Sequence, residues 1–148
     1  MSYTIGELAK KLGITKDSLR YYEKEGLLPP IKRDSSGHRV YSDSDMEWIF
    51  LIRCLRDTDM QIYKIKKYVS LLLNSGGESL HERRNLLLEH YSFIKKKVQT
   101  YQKLSQLIEK KLDFYNDALS SDDESVRCMD YATEWEHFRN ILGGIEHD

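Results

Sequence analysis

Cations, hydroxyls and phenols are gathered in one short stretch near the start of the chain: Lys16, Ser18, Arg20, Tyr21, Tyr22 and Lys24. A guanidinium can bind a phosphate or a guanine edge bidentately, and phenol hydroxyls donate to phosphate oxygens. Thr15 precedes the stretch, and a helix starting there would turn backbone N–H groups and a positive dipole toward an anion. The stretch therefore predicts a phosphate-binding surface, although one of Tyr21 and Tyr22 is expected to pack in the core.

The elements that position this surface are two short helices joined by a tight turn. Thr4 and Glu7 have the spacing of a capping box, and apolar residues follow at helical spacing until Gly13. A second helix is expected from Thr15 to about Gly26, with Leu19 facing inward. Two helices within 26 residues are typical of a helix-turn-helix. A plain helical hairpin of another fold has the same pattern.

A basic hairpin is expected next, in the segment IKRDSSGHRVY at residues 31–41. Ser36 and Gly37 are turn formers, and the flanking residues are compatible with short strands. The hairpin would carry basic side chains beside the second helix: Lys32, Arg33, His38 and Arg39. The alternative is a solvated charged loop.

Two further helices complete the N-terminal region, one capped by Ser42 or Asp43 and running to about Asp57, the other from about Gln61 to Leu73. Apolar residues at helical spacing give each helix an inward face. Thr58 and Asp59 are expected to end the first of these helices and so separate it from the second. The outer face of the second of these helices carries Tyr63, Lys64, Lys66 and Lys67, which makes it a second basic element beside the hairpin.

Residues 80–119 contain neither Gly nor Pro and show a seven-residue apolar repeat. The repeat predicts one helix, roughly 60 Å long at about 1.5 Å per residue, whose narrow seam meets another helix. The expected seam residues are Leu80, Leu87, Tyr91, Ile94, Val98, Tyr101, Ile108, Leu112, Tyr115 and Leu119. Arg84 and Ser105 interrupt the seam. The pattern favours pairing with a second copy of the chain over an intramolecular bundle, and it leaves the strand direction open.

Charge is distributed unevenly along the chain. Residues 1–70 carry 13 Lys and Arg against 10 Asp and Glu, whereas residues 121–148 carry 2 against 8. The basic part suits a polyanion and the acidic tail does not. The start of the chain has no apolar signal region and no apolar run is long enough to cross a bilayer, so we expect a cytoplasmic protein without membrane contact. Two isolated cysteines are no disulfide framework.

Residues 3–73 resemble the winged-helix DNA-binding domain of MerR-type bacterial transcription regulators. The resemblance is carried by YTIGELAKKLGIT, LRYYEKEGLLPP, GHRVY and IRCLRDTDMQIYKIKKYV, in this order. It implies a mainly α protein with a winged helix-turn-helix domain at 1–75, a linker at 76–79, an antiparallel dimerisation helix at 80–119 and a short acidic C-terminal segment at 120–148. It also implies a homodimer that distorts the spacer of a pseudo-palindromic promoter, where RNA polymerase is the further partner, and hence a location on the bacterial nucleoid.

The resemblance and the residue chemistry together give the expected DNA contacts. They are Thr15, Lys16, Ser18, Arg20, Tyr21 and Tyr22 on the recognition helix, His38, Arg39 and Tyr41 on the first wing, and Gln61, Tyr63 and Lys64 on the second. Two residues depart from the family pattern near the second wing, where members often have Gly and Ser. Asp59 tolerates the left-handed backbone that Gly would supply, whereas Gln61 caps a helix less well.

The effector is open to three hypotheses. A thiolate metal site is not expected, since position 79 is Ser and Cys128 is the one cysteine after the long helix. Cys54 lies between Arg53 and Arg56, whose charge would favour a reactive thiolate. Short regulators of the aldehyde- and nitrosative-stress branch carry a Cys in a similar block, which favours Cys54 as the sensing residue, with Cys128 as the reactive or resolving alternative.

The alternatives to thiol sensing are a buried, inert Cys54 and a small hydrophobic ligand held by Tyr131, Trp135 and Phe138 in the C-terminal segment. For the chain as a whole, the competing interpretation is a coiled-coil module that binds proteins. We expect no enzyme and no cofactor, because the sequence offers no phosphate loop, catalytic triad or paired carboxylates in an evident cleft.

Overall fold

The computed structural model describes residues 1–74 and 76–142, and the side chains as far as Arg139. It is mainly helical, as predicted. The N-terminal part contains β1 (Ser2–Tyr3), α1 (Ile5–Leu12), α2 (Lys16–Lys24), β2 (Lys32–Arg33), β3 (Arg39–Ser42), α3 (Asp43–Asp57) and α4 (Ile62–Asn74). A 3-10 helix (Gly76–Ser79) leads into α5 (Leu80–Leu119), which is followed by α6 (Glu124–Arg127) and α7 (Tyr131–Leu142).

Local capping explains where the helices of the N-terminal part begin and end. Thr4 and Glu7 form the predicted capping box of α1, and Gly13 ends this helix with a φ of 62°. Thr15 caps α2 and Ser42 caps α3. Asp59 follows α3 with a φ of 66°, so it adopts the left-handed conformation predicted for a residue in the place of Gly.

The three strands form one small antiparallel sheet in the order β1-β3-β2. The predicted hairpin is confirmed: Lys32 pairs with Val40 and Arg33 with Arg39 around the turn. Strand β1 was not predicted, because two residues show no periodicity; it pairs Tyr3 with Tyr41. The sheet anchors the first wing to the start of the chain.

A single apolar cluster holds the helices and sheet of the N-terminal part together. Fully buried members are Leu8, Leu19, Leu27, Tyr41, Ile49, Ile52, Ile65 and Val69. They include one or more residues from each of the helices α1 to α4, which fixes the recognition helix α2 on its inner side. Trp48 Nε1 also donates to the Leu27 carbonyl at 2.9 Å, which joins α3 to the segment after α2.

The chain divides into two compact units after Ile94, inside α5. The first turns of α5 therefore belong to the N-terminal compact unit. Leu87 packs against the core, Lys64 Nζ lies 2.6 Å from Glu89 and Lys67 Nζ lies 2.8 Å from Glu82. The residues of the predicted linker at 76–79 form a 3-10 helix at Gly76–Ser79, and Ser75 lies outside the described residues.

In the C-terminal unit, α7 packs against the end of α5. Lys111 Nζ lies 2.6 Å from Glu134 and 4.2 Å from the centre of the Phe138 ring. Tyr115 donates to the same carboxylate. Residues 143–148 and the side chains of Asn140, Ile141 and Leu142 lie outside the described residues.

Across the described ranges 1–74 and 76–142, every helix is too short or too polar to cross a lipid bilayer.

Candidate nucleic-acid interface

The outward face of α2 presents most of the predicted recognition residues to solvent. Thr15, Lys16, Arg20 and Tyr21 are exposed, and Ser18 is half-buried. We call these five residues the recognition surface. Leu19 and Tyr22 point into the core on the opposite side of the helix. The helix period alone produces this division, because Leu19 and Tyr22 are three residues apart.

Thr15 and Arg20 already have partners on α2. Thr15 Oγ1 accepts the backbone N–H of Ser18 at 3.0 Å, so its oxygen serves as the helix cap. Arg20 Nη1 donates to Asp17 at 2.8 Å across one turn of the helix. Both Arg20 and Asp17 are more than half exposed, so solvent screens this ion pair and little free energy opposes its exchange for a phosphate.

The first wing is a rigid turn rather than a loose loop. Asp34 accepts the backbone N–H groups of His38 and Ser36 at 2.9 Å each, and these hydrogen bonds, that of His38 first, lower the pKa of the Asp34 carboxyl. Gly37 has a φ of 81° at the tip. Arg33 Nη1 closes the turn by donating to the Gly37 carbonyl at 2.8 Å. His38 remains exposed at the tip, where it was predicted to face DNA.

Two tyrosines predicted as DNA contacts are buried. The side chain of Tyr41 is fully buried and its hydroxyl lies below the protein surface, so the prediction that it touches DNA is corrected: it is a core residue of β3. A large apolar ring on the inner face of a half-buried strand gains more from burial than from solvent. Tyr22 is 8% exposed and is the core member expected of the Tyr21–Tyr22 pair, while Tyr21 is 43% exposed.

The second wing exposes Gln61 and Tyr63. The Gln61 carbonyl accepts the backbone N–H groups of Lys64 and Ile65, which starts α4. Lys64 was expected to be available to phosphate, but its ammonium group pairs with Glu89 of α5, and that hydrogen bond raises the pKa of Lys64. This wing is therefore tied to the first turns of the long helix.

Cys54 is half-buried on α3, and its neighbours are arranged differently from the expectation. Arg53 donates to the Leu12 carbonyl and to Asp57, and Arg56 donates to the Met60 carbonyl at 3.5 Å. Both guanidinium groups thus bind other acceptors. Thr58 Oγ1 donates to the Cys54 carbonyl at 2.8 Å and lies 2.7 Å from Nε2 of His90 on α5. Sequence reasoning missed this connection, since Thr58 and His90 are 32 residues apart.

His90 gives the N-terminal unit a testable response to pH. Burial lowers the pKa of His90 below its ordinary value of 6.5. The positive charge of Lys64 lowers this pKa further, whereas the negative charge of Asp59 raises it. The unfolded chain therefore binds a proton more readily than the folded chain, so stability is full above pH 6.5 and decreases as the pH falls below it. We expect the urea midpoint to fall between about pH 7.5 and about pH 5.5, and His90→Gln to flatten this dependence.

His137→Gln is the matched control, because His137 is exposed on α7. The midpoint should be followed by the fluorescence of Trp48 in a Trp135→Phe background, which reports the N-terminal core. An equally steep dependence in His90→Gln would show that another group causes it.

The seam residues of α5 are largely open to solvent in the single chain. Leu80, Tyr91, Val98, Tyr101, Ile108, Leu112, Tyr115 and Leu119 are between 41% and 74% exposed, while Leu87 and Ile94 are half-buried. His90 is the buried residue of this helix. Apolar side chains repeated over so many turns form a larger exposed stripe than monomeric proteins tolerate.

The C-terminal unit contains a cavity of about 790 Å³ between the end of α5, α6 and α7. Its walls include Phe114, Val126, Cys128, Met129 and His137. The three aromatic residues expected to hold a ligand do not form it: Tyr131 is 81% exposed, Trp135 is 42% exposed and Phe138 is buried. Within residues 1–74 and 76–142, no three His, Cys, Asp or Glu side chains are placed to hold a metal ion.

Comparison with known proteins gives a consistent family. The sequence model of the MerR HTH family regulatory proteins matches residues 3–72. An uncharacterized HTH-type transcriptional regulator of Haemophilus influenzae is 36% identical over 118 residues, which is 80% of this chain and 87% of that protein.

Solved structures agree. The crystal structure of HiNmlR, a MerR family regulator lacking the sensor domain, bound to promoter DNA, superposes with a TM-score of 0.77 at 35% identity, covering 81% of this chain and 90% of that chain. A MerR family transcriptional regulator from Bacillus thuringiensis superposes with a TM-score of 0.70 at 30% identity, covering 78% of this chain and 100% of that chain.

Proposed function

Because this chain belongs to the MerR family of helix-turn-helix transcriptional regulators, we propose that it binds duplex promoter DNA as a homodimer and distorts the promoter spacer. The observation that carries the proposal is the recognition surface, which presents Lys16, Arg20 and Tyr21 beside a basic first wing on one rigid unit. The relative HiNmlR was crystallised on promoter DNA, which supports the same role for this chain.

The proposed dimer is formed by the exposed seam of α5. Two copies paired antiparallel through this seam would cover its apolar side chains, and burial of apolar area at about 25 cal/mol per Å² favours such pairing. The first turns of α5 are bonded to α3 and α4 through Thr58 and Lys64. A change in the pairing would thus turn the two DNA-binding units relative to each other and change the twist of the bound spacer.

The proposed effector site is the thiol of Cys54. The Cys54 thiol would add to the carbonyl carbon of a reactive aldehyde: a carbon–sulfur bond forms, the C=O π bond breaks, and the thiol proton passes to the aldehyde oxygen. The resulting thiohemiacetal would have to fit beside the end of α3. The carbonyl of Cys54 is bonded to Thr58, and Thr58 to His90 of α5. This connection supports the proposal, since a shift at Cys54 has a direct route to the dimerisation helix. RNA polymerase at the distorted promoter is the proposed further partner.

The DNA-binding role of Arg20 is tested by Arg20→Ala. If Arg20 reads a base edge, binding to a duplex selected from a random pool by the wild-type chain should weaken by about 1–3 kcal/mol, roughly 10- to 100-fold. Binding to a scrambled duplex should weaken less. Fluorescence anisotropy over a salt series measures both affinities.

Lys110→Ala is the control for Arg20→Ala, because it removes one exposed cation from the part of α5 that belongs to the C-terminal unit. It should leave the affinity for the selected duplex within about twofold of wild type. Equal affinity of Arg20→Ala and wild type for the selected duplex would exclude Arg20 from base recognition.

A further inference from the structure

One carboxylate faces two arginines of the predicted DNA-binding face. Glu23, on the last turn of α2, accepts a hydrogen bond from Arg39 Nε, and its other oxygen lies 3.9 Å from Arg33 Nη2. Arg39 and Glu23 each have 29% of their side-chain surface exposed, so solvent screens this pair less than the Arg20–Asp17 pair. The hydrogen bond to Glu23 raises the pKa of Arg39, which keeps the guanidinium charged.

A carboxylate in this position opposes the binding of any polyanion. It neutralises the wing cations that would otherwise attract phosphate, and it repels phosphate itself. Arg39 can reach a phosphate in two ways: with Glu23 still attached, or by exchanging the Glu23 carboxylate for a phosphate oxygen in the same place. The second way requires a phosphate at a defined position and orientation.

The hydroxyl of Tyr41 provides a second, independent observation. It is buried and has no hydrogen-bond partner among the described residues, which is rare for a buried hydroxyl. Tyr41 lies two residues beyond Arg39 on β3, and burial, followed by the negative charge of Glu23, raises the pKa of Tyr41. The Tyr41 hydroxyl is therefore a donor without a partner in the described part of the chain, and Tyr41 lies on the same face of β3 as Arg39.

We propose that Glu23 is a specificity-determining positioning residue. It holds Arg39 in the free protein and releases it only to a DNA phosphate that takes the place of its carboxylate, after which the Tyr41 hydroxyl donates to Glu23. Non-specific duplexes, whose phosphates do not fit this place, meet a neutralised wing. The proposal rests on the proposed DNA-binding function and adds a mechanism by which weak non-specific binding is discouraged.

The test compares Glu23→Gln with Glu25→Gln in the full chain. Glu25 is matched in burial, with 27% of its side chain exposed, and pairs with Lys66 of α4 at 2.5 Å rather than with a wing arginine. Both changes remove one negative charge from the end of α2. The probes are a duplex selected from a random pool by the wild-type chain and a scrambled duplex of the same length and composition, each over a salt series.

We expect Glu23→Gln to bind the scrambled duplex roughly tenfold more tightly than the wild type does. The slope of log K against log[salt] should become steeper by about 0.9, the value expected for one additional phosphate contact. Binding to the selected duplex should change by less than about threefold, so the specificity ratio falls. Glu25→Gln should change both affinities by the same factor. Tyr41→Phe should weaken the selected complex alone, because it removes the donor that replaces Arg39.

Two results would overturn the inference while leaving DNA binding intact. One is that Glu23→Gln changes the affinities for the two duplexes by the same factor, and the other is that it has the same specificity ratio as Glu25→Gln. If Glu23→Gln does not fold, Glu23→Asp supplies the same test, since its shorter side chain breaks the contact with Arg39 and should also lower the specificity ratio. A wild-type chain that selects no duplex from the pool would instead reject the proposed function.

Discussion

An aspartate in place of Val98 should dissociate the proposed dimer and, with it, remove tight binding to the selected duplex. Val98 is 45% exposed in the single chain and lies in the seam of α5. In the dimer the substitution would remove about 1.5–3 kcal/mol of apolar burial from each copy and place two unpaired charges in the interface. A monomer engages one half-site only, so we expect the affinity for the selected duplex to fall by at least about 100-fold.

Gln99→Asp provides the matched control for Val98→Asp. It adds the same charge one residue further along α5, on the side of the helix away from the seam, where Gln99 is exposed. Sedimentation equilibrium should give one chain per particle for Val98→Asp and two for Gln99→Asp. If Val98→Asp still sediments as a dimer, the seam as we define it does not form the interface.

Replacing Cys54 with serine should abolish the transcriptional response to an aldehyde while leaving promoter binding in place. Serine is close in size to the half-buried Cys54 side chain, but its hydroxyl is a far weaker nucleophile than a thiolate. We therefore expect the transcript level obtained with Cys54→Ser in the presence of the aldehyde to equal that obtained with the untreated wild type. Transcription in vitro, from a promoter located by footprinting with the wild-type chain, measures this directly.

Cys128→Ser is the control for the thiol experiment, because Cys128 is the exposed cysteine of the C-terminal unit. It should respond to the aldehyde as the wild type does. A response that survives in Cys54→Ser and is lost in Cys128→Ser would move the sensing role to the C-terminal unit, beside the cavity that Cys128 helps to line.

The sequence predicts the helices well because their signals are local. The capping box of Thr4 and Glu7, the stop at Gly13 and the left-handed Asp59 each depend on residues within a few positions of one another. The long helix, whose bounds match the prediction at Leu80 and Leu119, follows from a repeat that needs no knowledge of the rest of the fold.

The candidate site is predicted less completely, because its residues are arranged by contacts between distant parts of the chain. The composition of α2 does not reveal that Glu23 binds Arg39, and the composition of α4 does not reveal that Lys64 binds Glu89. Tyr41 is matched to a family contact by position, yet its strand turns the ring into the core. Strand β1 leaves no pattern in two residues, and it is the pairing with β3 that creates it.

The most direct test of the account is the number of chains on one DNA duplex and the span that they protect. For the wild-type chain on the selected duplex, analytical ultracentrifugation should give two chains per duplex. Hydroxyl-radical footprinting should show two protected patches separated by one or more helical turns of about 10–10.5 base pairs. A single chain on the duplex, protecting one patch, would contradict the proposal that the paired α5 helices hold two recognition surfaces on promoter DNA.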